Sequence, residues 1–238
     1  MEYVAIVQAR MGSTRLPGKV LLPLEGRPIL AHIVARLRRV ARIRRVVVAT
    51  SVSPADDAIA DWAAASGVDC VRGSETDVLD RFHQVSLAFP CDAYVRATGD
   101  NPMIDPRLLD VLLDDFERRG LDYVGSTGYP LGTSAEVFRR AALDEAFRNA
   151  TEPYESEHVT PYMYRRMTNW AKRASDVDLS GVRLTVDTPE DYDLARAVFG
   201  RFRDRVDAFT YGEVIDFLAH NPAVAEINSG IRQKRLGE

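Results

Sequence analysis

The chain has 238 residues, 46% of them hydrophobic and 28% charged, a balance that fits a globular protein and excludes disordered and fibrous classes. Its net charge of −4 comes from 31 basic residues scattered among 35 acidic ones, so no basic face for a nucleic acid is indicated. Cys70 and Cys91 lack the paired spacing of a zinc or redox site, and Met1-Glu2-Tyr3 leads into an apolar strand without a basic leader or a bilayer-length span; the expectation is a reduced, cytoplasmic protein with no membrane partner.

Val4 to Val7 is a short apolar run with β-branched residues, the pattern of a strand buried on both faces of a parallel sheet. A glycine-bearing loop follows. Apolar residues at Ile29, Leu30, Ile33, Val34 and Leu37 then keep helical spacing, and Arg45 to Thr50 returns to strand, completing a βαβ unit. A second helix starts near Pro54, with Asp56 and Asp57 in its first turn, and stops at Gly67 before a strand over Val68 to Val71. Ala93 to Thr98 is a further buried strand, broken by Gly99-Asp100-Asn101-Pro102, and Leu108 to Phe116 is an amphipathic helix after Asp105-Pro106. The rhythm breaks between residues 126 and 170, where an inserted β/α lobe is predicted. Arg183 to Val186 reads as a late strand and Thr188-Pro189 as the start of a helix through Phe199. The polar stretch from Asn228 to Glu238 is expected to fray or to dock on a partner subunit. Together these elements predict one α/β domain over residues 1–238, with a mostly parallel, Rossmann-like sheet flanked by helices.

Chemistry concentrates in Gln8-Ala9-Arg10-Met11-Gly12-Ser13-Thr14-Arg15-Leu16-Pro17-Gly18-Lys19, directly after the first strand. Ligands of open parallel sheets lie beyond the carboxyl ends of the strands, and Gly12 and Gly18 let backbone amides approach phosphate oxygens. Arg10, Arg15 and Lys19 add the positive charge that a triphosphate needs as its α-phosphorus is attacked. The segment lacks the Gly-Lys-Ser/Thr ending of a Walker loop and the three glycines of a dinucleotide fingerprint. Asp100 and Asp187 each end a predicted strand, and neighbouring strands can bring them together. Two aspartates facing a triphosphate suffice for magnesium, although Asp100 also reads as a turn residue and Asp187 as a helix cap.

At these residues the chain resembles the cytidylyltransferases that activate sugar acids, the Kdo and acylneuraminate enzymes and above all their spore-coat-polysaccharide branch. The resemblance runs through the first segment, Arg72-Gly73-Ser74 with Asp77 to Arg81, Thr98 to Pro102, Glu157-His158-Val159-Thr160-Pro161 and Val186 to Asp191, nearly the whole chain. It implies a fold of the nucleotide-diphospho-sugar transferase type, in which the inserted lobe covers the site and meets a second subunit in a homodimer. It also implies transfer of CMP from CTP to a small acidic acceptor with release of pyrophosphate. Arg10 and Lys19 would hold the phosphates, with Ala9, Gly12, Ser13 and Arg15 shaping the loop. Arg72 and Asp80 would line the base pocket, and Asp100 and Asp187 would carry Mg2+, with Arg10, Lys19 and Asp100 the catalytic set. Arg81, Glu136, Glu157 and His158 would face the acceptor. Asp77, Asp80 and Arg81 read equally as a helix N-terminus with a paired base, and His158 as a packed histidine.

The chain departs from the spore-coat branch at Pro130-Leu131-Gly132, where Pro-Asp-Gly is usual. A charge is missing from the acceptor loop, which leaves room for a smaller acceptor such as a phosphonate beside the sugar acids. Two rival classes share parts of this pattern. A nucleotide-sugar-dependent glycosyltransferase calls for an Asp-X-Asp pair, and Asp100-Asn101-Pro102 does not supply one; a noncatalytic nucleotide-binding regulator is expected to have lost Asp100, Asp187 or Lys19, and all three are present.

Overall fold

A computed structural model of the chain describes residues 1–233. In chain order the elements are β1 (Tyr3–Gln8), a small hairpin of β2 (Pro23–Leu24) and β3 (Arg27–Pro28), α1 (Ile29–Leu37), β4 (Ile43–Ser51), α2 (Asp57–Ala65), β5 (Asp69–Gly73), α3 (Val78–Ala88), β6 (Ala93–Thr98) and α4 (Pro106–Arg119). There follow β7 (Tyr123–Thr127), β8 (Glu136–Arg139), α5 (Arg140–Asn149), α6 (Pro153–His158), α7 (Pro161–Arg166), β9 (Trp170–Ala174), α8 (Pro189–Arg201), α9 (Tyr211–His220) and α10 (Pro222–Ala225). The strands form a seven-stranded sheet in the order β5-β4-β1-β6-β8-β7-β9. Within it β8 runs antiparallel to both neighbours and the other pairings are parallel.

Alternation along the strands sends residues to two cores. Tyr3, Ala5 and Val7 of β1 join the side chains of α1, α2, α4 and α8 on one face, whereas Val4 and Ile6 join those of α3, α5 and α7 on the other. Ile6 and Val47, both with no exposed surface, sit at the middle of that second face. Fully burying such a side chain stabilises by about 1.5–3 kcal/mol, so the central strands are fixed by packing on both sides.

The segment from 126 to 170 is built into this sheet. Its strand β8 lies between β6 and β7, and α5 to α7 roof the second core. The predicted strand over Arg183 to Val186 is a single bridge from Arg183 to Leu131. The stretch is extended, but its partner is a loop: Leu184 N donates to Leu131 O (2.8 Å) and Val186 N to Asp100 O (2.8 Å). Gly132, in that loop, has φ +94°, and a Cβ there would stand 2.6 Å from Thr185 N, so glycine permits the contact. The tail docks on its own chain as far as it is described: Asn228 Nδ2 donates to Arg183 O (3.1 Å) and Asp191 Oδ1 (2.8 Å). Residues 234–238, the rest of the segment expected to fray or meet a partner, lie outside the described residues. Among the described residues no helix is long and apolar enough to cross a membrane.

His32, with no exposed surface, ties α1 to the hairpin and to the segment before α9. Its Nδ1 lies 2.8 Å from Arg27 Nη2 and its Nε2 2.8 Å from Leu24 O, an arrangement that requires the Nε2–H tautomer because the arginine can only donate. Burial, with Arg27 adding to it, holds the imidazole below its usual range against the opposing pull of Leu24 O and Asp207. The folded protein therefore favours neutral His32, and that contribution is present above the unfolded value near ~6.5 and lost as pH falls below it. Denaturant midpoints measured from pH 8 to pH 5 are expected to fall more steeply below about pH 6.5 for the native chain than for His32→Gln, whose amide reproduces one donor and one acceptor without titrating.

Candidate active site

The loop after β1 is held from below. Ala9 N donates to Ala49 O (3.1 Å), and Met11 N to the buried carboxylate of Asp56 (2.7 Å), whose other oxygen takes Ser51 N (3.2 Å) and Ser51 Oγ (2.5 Å). Ser13 N and Gly18 N both donate to Met11 O, at 2.8 and 3.1 Å, so residues 11–18 close on themselves. Gly18 then takes φ 68°, left-handed backbone that turns the chain into a short 3-10 turn at Lys19–Leu21 and sends Lys19 inward. Gly12 and Arg10 remain on the exposed rim.

Lys19, only 8% exposed, meets both predicted acids. Its Nζ donates to Asp100 Oδ2 (2.9 Å) and Asp187 Oδ1 (2.6 Å), so these two carboxylate oxygens lie no farther apart than the two bonds laid end to end. Asp100 rides on the end of β6, with Gly99 N bonded to Gln8 O (2.8 Å) and its own Oδ1 accepting from Thr98 Oγ1 (2.5 Å). Asp187 arrives through the stretch that bonds to Asp100 O, and its Oδ2 meets Arg183 Nη2 (2.6 Å) and Arg15 Nη2 (3.2 Å). Burial opposes charge on both partners. The two aspartates nevertheless raise the lysine above its usual range, and Lys19, Arg183 and Arg15 pull Asp187 below the usual carboxylate range.

Behind Asp187 stands a buried support that the sequence did not single out. Asp191, 1% exposed, accepts from Arg183 Nε (2.8 Å) and Nη2 (2.9 Å) and from the backbone amides of Asp187 (2.9 Å) and Thr188 (3.1 Å). The capping box Thr188/Asp191 of α8 was legible as a helix start; the arginine eight residues before Asp191 that locks it was not. Asp56 was missed in the same way, as it reads like any first-turn acid.

The other expected residues fall into three groups. Arg10 forms no ion pair among the described residues and stands near Arg81, which burial and then the charge of Arg10 push below the usual arginine range. Arg81 is itself 2% exposed and its Nη1 donates to Ser74 O (2.5 Å) and Glu75 O (3.3 Å). Arg72 is anchored to Ser51 O (2.9 Å) and Ser53 O (3.0 Å), and Asp77 caps α3 by accepting from Asp80 N (2.8 Å), the helix N-terminus that the sequence left open.

Glu136 is the centre of the third group. It accepts from Arg96 Nη1, Tyr123 OH (2.5 Å) and Thr160 Oγ1 (2.9 Å), and Arg96 Nε donates to Gln8 Oε1 (2.9 Å). These side chains point to the second face, where the apolar core stops at the strand ends and a polar layer begins. His158 stands near this layer: burial, then Arg96, depresses its basicity against the pull of Glu157 and Glu136. Between His158 and Thr160, Val159 has φ 68° and ψ −56°, and Thr160 N donates to His158 O (2.8 Å), a γ-turn of the strained hand on a β-branched residue with no exposed surface. Glu157 is exposed beside it.

A basic loop at the carboxyl end of a central strand of a mostly parallel sheet, facing two aspartates, suits a polyphosphate. A family model of cytidylyltransferases matches residues 4–214. The chain belongs to that family. The cytidylyltransferase is 38% identical over 235 residues to the spore coat polysaccharide biosynthesis protein SpsF of Bacillus subtilis, covering 94% of this chain and 97% of that one. It is 39% identical over 242 residues to an uncharacterized protein of Methanocaldococcus jannaschii, covering 100% and 99%. The solved structure of a cytidylyltransferase from Leptospira borgpetersenii matches it with a TM-score of 0.88 at 30% identity, over 99% of this chain and 100% of that one. The enzyme is therefore a CTP-dependent nucleotidyltransferase with a Rossmann-like fold, and the glycosyltransferase and regulator readings fall away.

Replacing Arg183 by leucine strips Asp191 of its buried counter-charge. A loss of about 3–5 kcal/mol in unfolding free energy is expected, read by urea denaturation, because an uncompensated buried charge is left behind. Arg118→Leu, which touches Asp115 from a largely exposed position, serves as the surface comparison and should change stability by less than ~1 kcal/mol.

Proposed function

We propose that this cytidylyltransferase transfers CMP from CTP to a small acidic acceptor, a sugar acid or a phosphonate, and releases pyrophosphate, with Mg2+ held by Asp100 and Asp187. The observation that carries this reading is the meeting of both aspartates at one cation, Lys19 Nζ, beside the loop after β1. The ammonium stands where a cation is wanted, and the donor set is hard oxygen. Among the described residues no cluster of three or more acidic, histidine or cysteine side chains forms a metal cage, so a pair of aspartates must be completed by water and phosphate oxygens, the habit of magnesium. When bound, the ion supplies charge neutralisation at the phosphates.

The chain's own residues do the remaining work. Arg10, which forms no ion pair among the described residues, Arg15 and Lys19 hold the phosphate oxygens, with the amide of Gly12 on the same loop, which Ser13 helps to close. Asp56 keeps that loop at one height above β4. The acceptor oxygen attacks the α-phosphorus in line, a new P–O bond forms, and the bond to the β-phosphate oxygen breaks; no covalent enzyme intermediate is needed. Pyrophosphate leaves into the field of Arg10 and Lys19.

The base sits against Arg72 and Asp80, near the carbonyls of Ser51 and Ser53 that Arg72 fixes. Acceptor recognition falls to Glu136, Glu157 and His158, with Arg96 added by its bond to Glu136 and Gln8. Arg81, named with them from the sequence, contributes on the nucleotide side through its closeness to Arg10. The missing charge at Leu131 favours a compact acceptor such as a phosphonate. Pairing of two copies across the 126–170 segment completes the reading, and light scattering of the purified protein should return the mass of a dimer.

Asp100→Asn is expected to lower CTP-dependent pyrophosphate release by roughly a thousandfold while leaving the unfolding transition in place, because it removes one charge from the centre without removing its shape. Full activity in that variant would remove the metal assignment. A pyrophosphate-release screen of CTP, UTP, ATP and GTP against sugar acids and phosphonates should show turnover with CTP and at least one acid of this panel; turnover confined to another nucleotide, or to a neutral acceptor, overturns the proposal.

A further inference from the structure

We infer that Lys19, assisted by Arg15, is a resident counter-ion that keeps the Asp100 and Asp187 pair closed to a divalent cation until a triphosphate arrives. The inference rests on the function proposed above and extends it to the order in which ligands enter.

Every oxygen of the two carboxylates already has a protein donor. Asp100 takes Thr98 Oγ1 on Oδ1 (2.5 Å) and Lys19 on Oδ2 (2.9 Å); Asp187 takes Lys19 on Oδ1 (2.6 Å), and Arg183 (2.6 Å) and Arg15 (3.2 Å) on Oδ2. Asp191 balances Arg183, so three carboxylates face three cations and the cluster is neutral as it stands. A divalent ion arriving alone gains little from a neutral cluster. It must also dislodge an ammonium that is 8% exposed and whose described partners are these two acids alone. Stripping a nearly buried charge of its partners is costly, and bare water at this depth offers poor replacement.

A triphosphate changes both sides of that exchange. It brings acceptor oxygens for Lys19 and Arg15, which lie on the same loop as Arg10, and it brings the negative charge that a divalent ion then neutralises. The aspartates are released as the cations turn toward phosphate. Nucleotide and metal are thus coupled, and linkage makes the coupling mutual: whatever factor the nucleotide adds to metal affinity, the metal adds to nucleotide affinity. Arg183 stays with Asp191 throughout, because its bidentate contact is buried.

The test is Mn2+ binding to the full chain without nucleotide, followed by electron paramagnetic resonance of the free ion. Lys19→Met is expected to bind Mn2+ roughly tenfold or more tightly than the native chain. Arg15→Gln, at a more exposed position that tolerates change, should shift affinity in the same direction by a smaller factor. As a second readout, Mn2+ alone should raise the melting temperature of Lys19→Met and leave that of the native chain unmoved, and Lys19→Met with Asp100→Asn should lose the gained binding. Equal Mn2+ affinities in the native chain and both single variants, or weaker binding in Lys19→Met, would overturn the counter-ion role. If that happens while Asp100→Asn is still inactive, the proposed reaction survives and only this inference falls; an active Asp100→Asn sinks the reaction's metal centre instead.

Discussion

One ammonium group joined to two carboxylates organises the end of the sheet where the loop after β1 lies. Two acids cannot be packed at such close range unless positive charge stands between them, and Lys19 supplies it from a third part of the chain. Three demands follow. The loop after β1 must turn inward at Gly18, the strand carrying Asp100 must neighbour β1, and the stretch carrying Asp187 must run back across the edge of the sheet. The parallel pairing of β1 with β6 meets the second demand by opening both loops on the same edge. The close passage of residues 183–186 over Gly132 and Asp100 meets the third.

The two faces of the sheet contribute differently. On the first, apolar packing continues to the strand ends and seats Lys19 and Val20 against α1. On the second, Gln8, Arg96, Glu136 and Tyr123 replace the core just short of the edge, and their hydrogen bonds satisfy one another. A buried layer of this kind is stable only while its members are paired, since an orphaned donor or acceptor costs about 1–3 kcal/mol. The part of the site around Lys19 is therefore governed by charge, and the part around Glu136 by a web of short polar contacts.

Much of this was legible in the sequence. The apolar run at Val4 to Val7 placed the first strand and the basic loop behind it, and the acids at Asp100 and Asp187, which the fold brings to one lysine, were found because each follows an apolar run and starts a turn. What was hidden is of two kinds. Arg183 and Asp191 do their work through a contact that only the folded extended stretch creates, and in sequence they look like a strand residue and a cap. Arg96 sits in a strand whose alternation reads as ordinary, and its partner Glu136 lies on the one reversed strand, whose position between β6 and β7 periodicity does not announce. Arg81 read in sequence as a helix-start residue or an acceptor contact; the fold buries it at the turn from β5 into α3, near Arg10, with its guanidinium on Ser74 O and Glu75 O.

Val159 gives the part of the site around Glu136 an unusual dependence. A backbone angle that an isolated valine resists is imposed by the hydrophobic material around it, so packing at Val159 helps to aim His158 and Thr160, beside the bond from Thr160 Oγ1 to Glu136. Drift in the size or shape of neighbouring core residues can accordingly swing those two side chains without disturbing the basic loop on the far side of β1. On the proposed function, selectivity for the incoming acceptor is in this way written partly in the oily interior, leaving evolution a means of changing what is activated while the energy donor stays the same.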